Sequence, residues 1–376
     1  MAQQRKKLSF TGGILQLAAF ATQVVLLLTY LSAYVSPASV WVLELLALGY
    51  PVILVITLAV ALLCYLAGQR IYILTLVLVL LGYNHIRHHL QLTPAHIEPS
   101  QTNLPVKVMS YNARLFDLYN WSKKSDTKAN MFDMFEAEDP DIICFQEFHT
   151  SGKNGNNNLK TLKKKLRASH AHTEYTATLR KNEHWGMATF SAYPIVGKGA
   201  IPFNETTNNI CIYTDIRINK DTIRVYNIHF QSNRFDKEDY DFLDNPNQKS
   251  REDKIAASKN ILVRLKRGSI KRAKQVDLVA AHIQQSPYPV VVCGDFNDTP
   301  ASYTYHQIHQ NLKDAFVQSG RGFGNTYSGF NLIPLRIDYI LHAPQFSSYN
   351  FNTIKKELSD HYPVVTLLDL QPSEAE

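Results

Sequence analysis

Residues 290–298 read VVVCGDFND. Four apolar residues in a row are too few for a helix, and a valine-rich run suits a strand buried on both faces. The run then stops at once in Gly-Asp-Phe-Asn-Asp. Carboxylates are rarely buried without partners, so a buried strand ending in two of them presents a polar site at its tip. A single such acid has an ordinary explanation, because turns and caps use Asp freely. Working outward, however, the pattern recurs. Residues 106–110 lead to Tyr111 and Asn112, 142–145 to Gln146 and Glu147, and 223–228 to His229. Ile337 leads to Asp338, and Ser359-Asp360-His361 stands just before the apolar Val364. Turn chemistry does not repeat in this way, and the tips read as parts of one site.

The strand-like runs at 106–110, 142–145, 188–190, 210–216, 222–229, 290–293, 337–341 and 364–368 alternate with helical patterns at 130–138, 158–169 and 251–285. The last has apolar residues at helical spacing and a basic face containing Lys259, Arg264, Lys266 and Arg272. Such a face is more often solvated surface than a binding site. The formal net charge is +7, of which +3 falls in the first hundred residues (five Lys/Arg against two Asp/Glu), leaving +4 for the rest. That mild excess suits an anionic substrate but is far from a dedicated nucleic-acid binder. Cys64, Cys144, Cys211 and Cys293 follow no zinc or disulfide spacing.

The first ninety residues differ in kind. Residues 14–35, ILQLAAFATQVVLLLTYLSAYV, carry no charge and are long enough to cross a ~30 Å hydrocarbon layer at ~1.5 Å per residue. A second apolar stretch, 41–67, contains only Glu44 as a charge, and a third runs over 71–86. Three successive runs exclude a cleaved signal peptide, which has one. We expect a transmembrane region over 1–90, a polar linker over 91–104, a catalytic domain over 105–371 and a short tail over 372–376. Arg5, Lys6 and Lys7 before the first span favour a cytoplasmic N-terminus. Three spans would then give a multi-pass cell-membrane protein whose domain faces away from the cytoplasm.

The runs VMSYNARLFD (108–117), DIICFQEF (141–148), YNIHFQS (226–232), VVVCGDFND (290–298), RIDYIL (336–341) and SDHYPVV (359–365) resemble the endonuclease/exonuclease/phosphatase superfamily. The resemblance implies an α/β fold, a four-layered sandwich with two packed mixed sheets, here preceded by a bundle of about three transmembrane helices. It implies hydrolysis of a phosphoester by metal-assisted water attack, with Mg²⁺ or Mn²⁺ as cofactor. Asn112, Glu147 and Asp360 match metal ligands. Asp295 matches the residue that orients or activates the water, and Asn297 the amide that contacts the phosphate. His361 matches the terminal histidine, with Asp338 as its acid partner, and His229 a second histidine of the nuclease and sphingomyelinase branches. Glu183, before the strand at 188–190, is a looser candidate for the substrate side and for pairing with His229. The substrate could be a nucleic acid, a phospholipid headgroup or a small phosphate ester. A lipid bilayer is the expected partner, and no protein partner is expected. A degenerate, non-catalytic copy would have lost some of these residues. The charged segment 233–250 after His229 is either a substrate-facing loop or a surface insertion.

The charge pattern generates a topology test. Alkaline phosphatase fused to the C-terminus should be active in a bacterial host, since that enzyme needs the oxidising exterior. Activity from a cytoplasm-only reporter at the same place would reverse the orientation.

Overall fold

The computed structural model describes residues 10–152, 156–179, 182–203, 208–244, 250–329 and 334–370. Helices come first: α1 (Phe10–Ser32), α2 (Pro37–Val40), α3 (Val42–Leu48), α4 (Tyr50–Leu66), α5 (Ile71–Leu81) and α6 (Tyr83–His89). Among the described residues, only α1 is by itself long and apolar enough to cross a membrane. The stretch expected to be a second span is broken at Gly49, where α3 and α4 meet at 74°. The third is split likewise at Gly82, where α5 and α6 meet at 60°.

This bundle buries polar side chains among its apolar core and exposes large apolar ones. Gln23, Thr29, Thr57 and Thr75 are buried, while Leu17, Phe20, Val55, Leu62, Leu66 and Leu81 are exposed. Gln23 donates to Thr75 Oγ1 at 2.8 Å and Tyr30 OH to the Leu78 carbonyl at 3.3 Å, which ties α1 to α5. At the other end Gln69 donates to the Gly12 carbonyl at 3.0 Å. The start of α1 therefore lies at one end of the bundle. Its last residue, Ser32, reaches the following domain and donates to the Ala301 carbonyl at 3.0 Å.

The domain holds two six-stranded mixed sheets. The first contains β1 (Pro105–Asn112), β2 (Ile142–Ser151), β3 (His170–Leu179), β4 (Glu183–Ser191), β11 (Phe346–Thr353) and β12 (Val364–Leu370), in the order β11-β12-β1-β2-β4-β3. The second contains β5 (Ile195–Pro202), β6 (Ile210–Ile218), β7 (Asp221–His229), β8 (Val290–Asp295), β9 (Lys313–Asp314) and β10 (Asp338–His342), in the order β5-β6-β7-β8-β10-β9. Helix α7 (Thr127–Glu138) covers the outer face of the first sheet with Met131, Phe132 and Phe135. Beyond it the chain forms α8 (Asn158–Lys165), α9 (Lys237–Asp244), α10 (Arg251–Gln284), α11 (Tyr303–His309) and α12 (Ala315–Ser319). Helix α10 covers the outer face of the second sheet with Ala273, Val276 and Val279. Four layers result. They explain why the central strands read as unbroken apolar runs: alternate residues point to opposite faces, and both faces are covered. Ile142 and Cys144 enter the core between the sheets, whereas Ile143 and Phe145 pack on the α7 side.

Strand direction places the tips. The pairs β1/β2 and β7/β8 are parallel, so Asn112, His229 and Asp295 end at one rim and Glu147 passes it. Strands β10 and β12 run antiparallel to them, so it is their beginnings, Asp338 and the residues before Val364, that reach this rim. In the ladders Asp295 lies opposite His229 on one side and Asp338 on the other. Gly294 permits the close approach: at φ +151° a Cβ there would meet the Ile228 carbonyl oxygen at 2.1 Å.

The two sheets are locked by an amide bridge in their shared core. Gln146 Nε2 donates to Asn227 Oδ1 at 2.7 Å, and Asn227 Nδ2 donates to the carbonyls of Ala188 at 3.0 Å and Phe145 at 3.1 Å. Both amides are fully buried. Asn227→Leu should therefore lower unfolding stability by about 3 kcal/mol, the upper range for buried groups stripped of a partner. Thermal or urea unfolding of the detergent-solubilised protein measures it. A loss within the ~0.5 kcal/mol of a surface substitution would show that the bridge carries no weight.

Candidate active site

Asp295 is the centre of the rim. It is almost wholly buried, and Asn112 Nδ2 donates to its Oδ2 at 3.1 Å while the Asn297 N–H donates to its Oδ1 at 2.8 Å. Two imidazoles face the same Oδ2: His361 Nε2 at 3.6 Å and His229 Nε2 at 3.7 Å. A single water can bridge separations of this size. Burial pushes the Asp295 carboxyl up to about 6, against the lowering charge of His361 and with a further push from Asp338.

Their surroundings shift the two histidines in opposite directions. Burial would lower His361, but the carboxylates of Asp338 and Asp295 outweigh it and hold the ring well above its ordinary value. Asp338 accepts from His361 Nδ1 at 2.9 Å, which fixes the tautomer and leaves Nε2 for the cleft. His229 has no such dedicated acid. Burial lowers it, Asp295 compensates only in part, and the charge on His361 lowers it further.

Glu147 occupies a β-bulge of β2 with left-handed backbone, φ +49°. The bulge turns its side chain to the rim, where Glu147 Oε1 lies 3.9 Å from His229 Nε2. Burial and the neighbouring Asp360 raise its carboxyl, opposed by His361 and the Asn112 amide. Asp360 lies 3.4 Å from Arg114 Nε. Asn297 is also left-handed, φ +54°, and donates from Nδ2 to the Phe230 carbonyl at 3.1 Å.

Asp295, Asp338 and His361 offer ligand atoms within 4.8 Å of one another. Asp338, however, is engaged by the His361 Nδ1–H, so the three stand in a row of acid, imidazole and acid, hydrogen-bonded between Asp338 and His361 and 3.6 Å apart between His361 and Asp295. Glu147 and Asp360 are the acids left beside each other; burial and the charge of Asp360 raise Glu147, and oxygen ligands of this kind suit a hard cation. Asn112, expected as a ligand, lies between two of the acids. Its amide nitrogen faces Asp295 and Glu147, while its oxygen accepts from the Arg114 N–H at 3.1 Å. An N–H donor does not bind a cation, so in this orientation Asn112 holds two carboxylates in place instead.

Glu183 lies apart from the others. It is the first residue of β4 and pairs with Ser151 and Leu179. Ser151 is four positions along β2 from Glu147, ~13 Å at ~3.3 Å per residue. The carboxylates beside His229 are Glu147 and Asp295, not Glu183.

The rim opens into a cleft of about 440 Å³ whose lining includes Glu147, His229, Asp295, Asn297, Asp360 and His361. It also includes residues that the sequence did not single out. From the charged segment come Arg234, Phe235 and Tyr240, and Tyr240 OH lies 2.7 Å from Tyr327 OH, whose ring packs edge-on to His361. Arg272, on the basic face of α10, is buried and donates from Nε to Asp298 at 3.0 Å. Beside it stands Glu44 of α3. The available signal for Glu44 was its isolation: one charge within an apolar stretch rarely lacks a role.

The endonuclease/exonuclease/phosphatase family profile matches residues 109–361, well over half of the chain, and the chain belongs to that family. Members of this family are phosphoesterases and nucleases, and its enzymes generally use divalent metal ions. Residues 13–89 match a domain of unknown function. No curated protein sequence matches the chain. Among solved structures, the endonuclease/exonuclease/phosphatase from Beutenbergia cavernae DSM 12333 is 18% identical over 71% of this chain and 72% of its own, with a TM-score of 0.51. A family protein from Bacteroides thetaiotaomicron is 18% identical over 71% and 98%, with a TM-score of 0.49. The human Nocturnin catalytic domain is 16% identical over 72% and 95%, with a TM-score of 0.49. The first of these shows the fold.

The acid–imidazole row predicts a non-additive pair. Asp338→Asn and His361→Ala should each lower the rate of phosphoester hydrolysis by ~10²–10⁴, and the double variant should be scarcely worse than either. Steady-state rates per folded molecule decide it, and losses that simply multiply would show that the two do not act as a unit.

Proposed function

We propose that this protein is a membrane-anchored, metal-dependent phosphoesterase in which water attacks phosphorus at the Asp295 rim. The observation that carries this reading is geometric: one buried carboxylate, Asp295, faces two imidazoles at 3.6 and 3.7 Å, and only His361 is braced by an acid of its own, which shifts the two rings in opposite directions. Paired groups pushed apart in this way divide acid work from base work. Asp295, fixed by Asn112 and the Asn297 N–H, orients the water and takes its proton as the new P–O bond forms. His361, charged and braced by Asp338, faces the negative charge that develops as the leaving P–O bond breaks, and returns a proton to the leaving oxygen. His229 presents a neutral ring to the phosphoryl oxygens. Asn297, with one N–H spent on the Phe230 carbonyl, has the other for the phosphate. Glu147 and Asp360 would hold the cation. When bound, a divalent ion such as Mg²⁺ or Mn²⁺ neutralises nonbridging charge and stabilises the leaving oxygen.

The anchor follows from the bundle. Its exposed apolar band would be costly in water, and its buried glutamine and threonines are the polar contacts that join helices in lipid. Helix α1 runs from the far end of the bundle to the domain, α4 returns, and α5 with α6 comes back again. If the bent pairs cross as units, the domain stands on the side opposite the N-terminus.

Glu147→Gln keeps the shape of the side chain but removes a charge from the cation site. It should remove most hydrolysis of a small chromogenic phosphodiester by the full-length protein. A chelator should do the same to the wild type, and Mg²⁺ or Mn²⁺ should restore it. Activity that survives both treatments would end the metal-dependent reading.

A further inference from the structure

Part of the catalytic cleft is built by the bundle. Leu45 and Leu48 of α3 line it together with Ile261 and Leu265 of α10, opposite Glu147, Asp295 and His361. Helix α3 is set at 74° to α4, so where α4 enters a bilayer α3 turns toward the bilayer surface. The wall is also pinned to the catalytic loop: Thr299 Oγ1, four residues after Asp295, donates to the Ala47 carbonyl at 3.2 Å. Apolar side chains continue outward from the cleft, with Val42 on α3 and Leu262 and Val263 on α10 all exposed. Lys266 of α10 lies over the Trp41 ring at 5.4 Å, a cation and an aromatic ring of the kind that sit at a membrane interface. A cleft for a water-soluble ester has no need of this wall.

The same helix brings a carboxylate into the cleft. Glu44 is 6% exposed, and neither of its oxygens has a hydrogen-bond partner. Its charged neighbours are Asp298 and Arg272. Arg272 is already committed, to Asp298 at 3.0 Å and to the Gln231 carbonyl at 2.9 Å. Arg272 has no hydrogen bond to Glu44. A buried, unpaired acceptor that lines a cleft is a place for a ligand's donor. The complementary group is a cation that carries N–H.

Building on the phosphoesterase reading, we propose that the cleft takes a bilayer phospholipid. The phosphoester lies at Asp295, the acyl part lies against Leu45, Leu48, Ile261 and Leu265, and an ammonium headgroup donates to Glu44. The hydrolysis itself is the step described above, with water as the only co-reactant. Glu44 acts on specificity, by binding the headgroup.

The test uses the full-length protein with Mg²⁺ and four probes: phosphatidylethanolamine in phosphatidylcholine vesicles, glycerophosphoethanolamine, a single-stranded oligonucleotide and bis(p-nitrophenyl) phosphate. Glycerophosphoethanolamine carries the same phosphodiester without chains. Burying about four methylenes of a chain corresponds to a preference on the order of 100-fold in kcat/KM for the vesicle lipid. Equal values for the lipid and its chainless analogue, or faster cleavage of the oligonucleotide, would overturn the proposal. Phosphatidylethanolamine should also exceed phosphatidylcholine, whose quaternary ammonium has no N–H, and Glu44→Gln should erase that difference. An unchanged headgroup order in a folded Glu44→Gln protein would remove Glu44 from the site. Should that variant fail to fold, Leu48→Gln serves instead, and should lower vesicle turnover about tenfold more than turnover of the small diester. An equal loss on both would count against the apolar wall. Turnover of the small diester without lipid preference removes the substrate class alone, whereas no turnover of any probe removes the hydrolase reading as well.

Discussion

The amide bridge between Gln146 and Asn227 sets the geometry on which the rest depends. Each residue stands within two positions of a rim side chain: Gln146 precedes Glu147, and Asn227 is two before His229. The bridge joins the first sheet to the second in a core where neither amide reaches water. Sliding one sheet over the other would leave both unsatisfied, at a cost comparable to a sizeable share of a domain's net stability. Apolar packing holds the sheets together without direction, and the bridge supplies the register. In that register Asn112 of the first sheet meets Asp295 of the second.

Around Asp295 the fold creates a gradient of charge rather than a collection of acids. The carboxylate is buried, and its two imidazole neighbours differ in one respect: His361 has Asp338 behind it and His229 has no equivalent. Asp338 and Asp295 raise His361, whereas burial lowers His229. The ladder makes this contrast inevitable, because Asp338 and His229 are the two residues opposite Asp295.

Much of this was legible in the sequence. Buried strands declare themselves by apolar runs, and the polar residue after each run had to lie at a common rim once strand direction alternated correctly. The strands at 170–179, 195–202 and 346–353 were not read. They are edge strands with half-solvated faces, so His170, Lys198 and Asn350 interrupt any apolar run. Glu183 misled because it precedes a strand start, but β4 begins far along β2 from the rim. Bulges are invisible to periodicity, so the turn that presents Glu147 could not be foreseen. Nor could the bends at Gly49 and Gly82, since uniformly apolar residues do not reveal a change of direction. Arg272 sat in a basic face that reads as solvated. Its burial depends on Asp298, which is distant in sequence.

The order of strands has a consequence for the making of the protein. Strand β1 lies between β2 and β12, so the first strand of the domain pairs with the last, roughly 260 residues later. Asp360 and His361 emerge from the ribosome only just ahead of β12. The hydrophobic helices are synthesised long before, and can engage a membrane while the domain is still incomplete. A chain that stops before β12 lacks the antiparallel partner of β1, and one that stops before residue 360 also lacks Asp360 and His361.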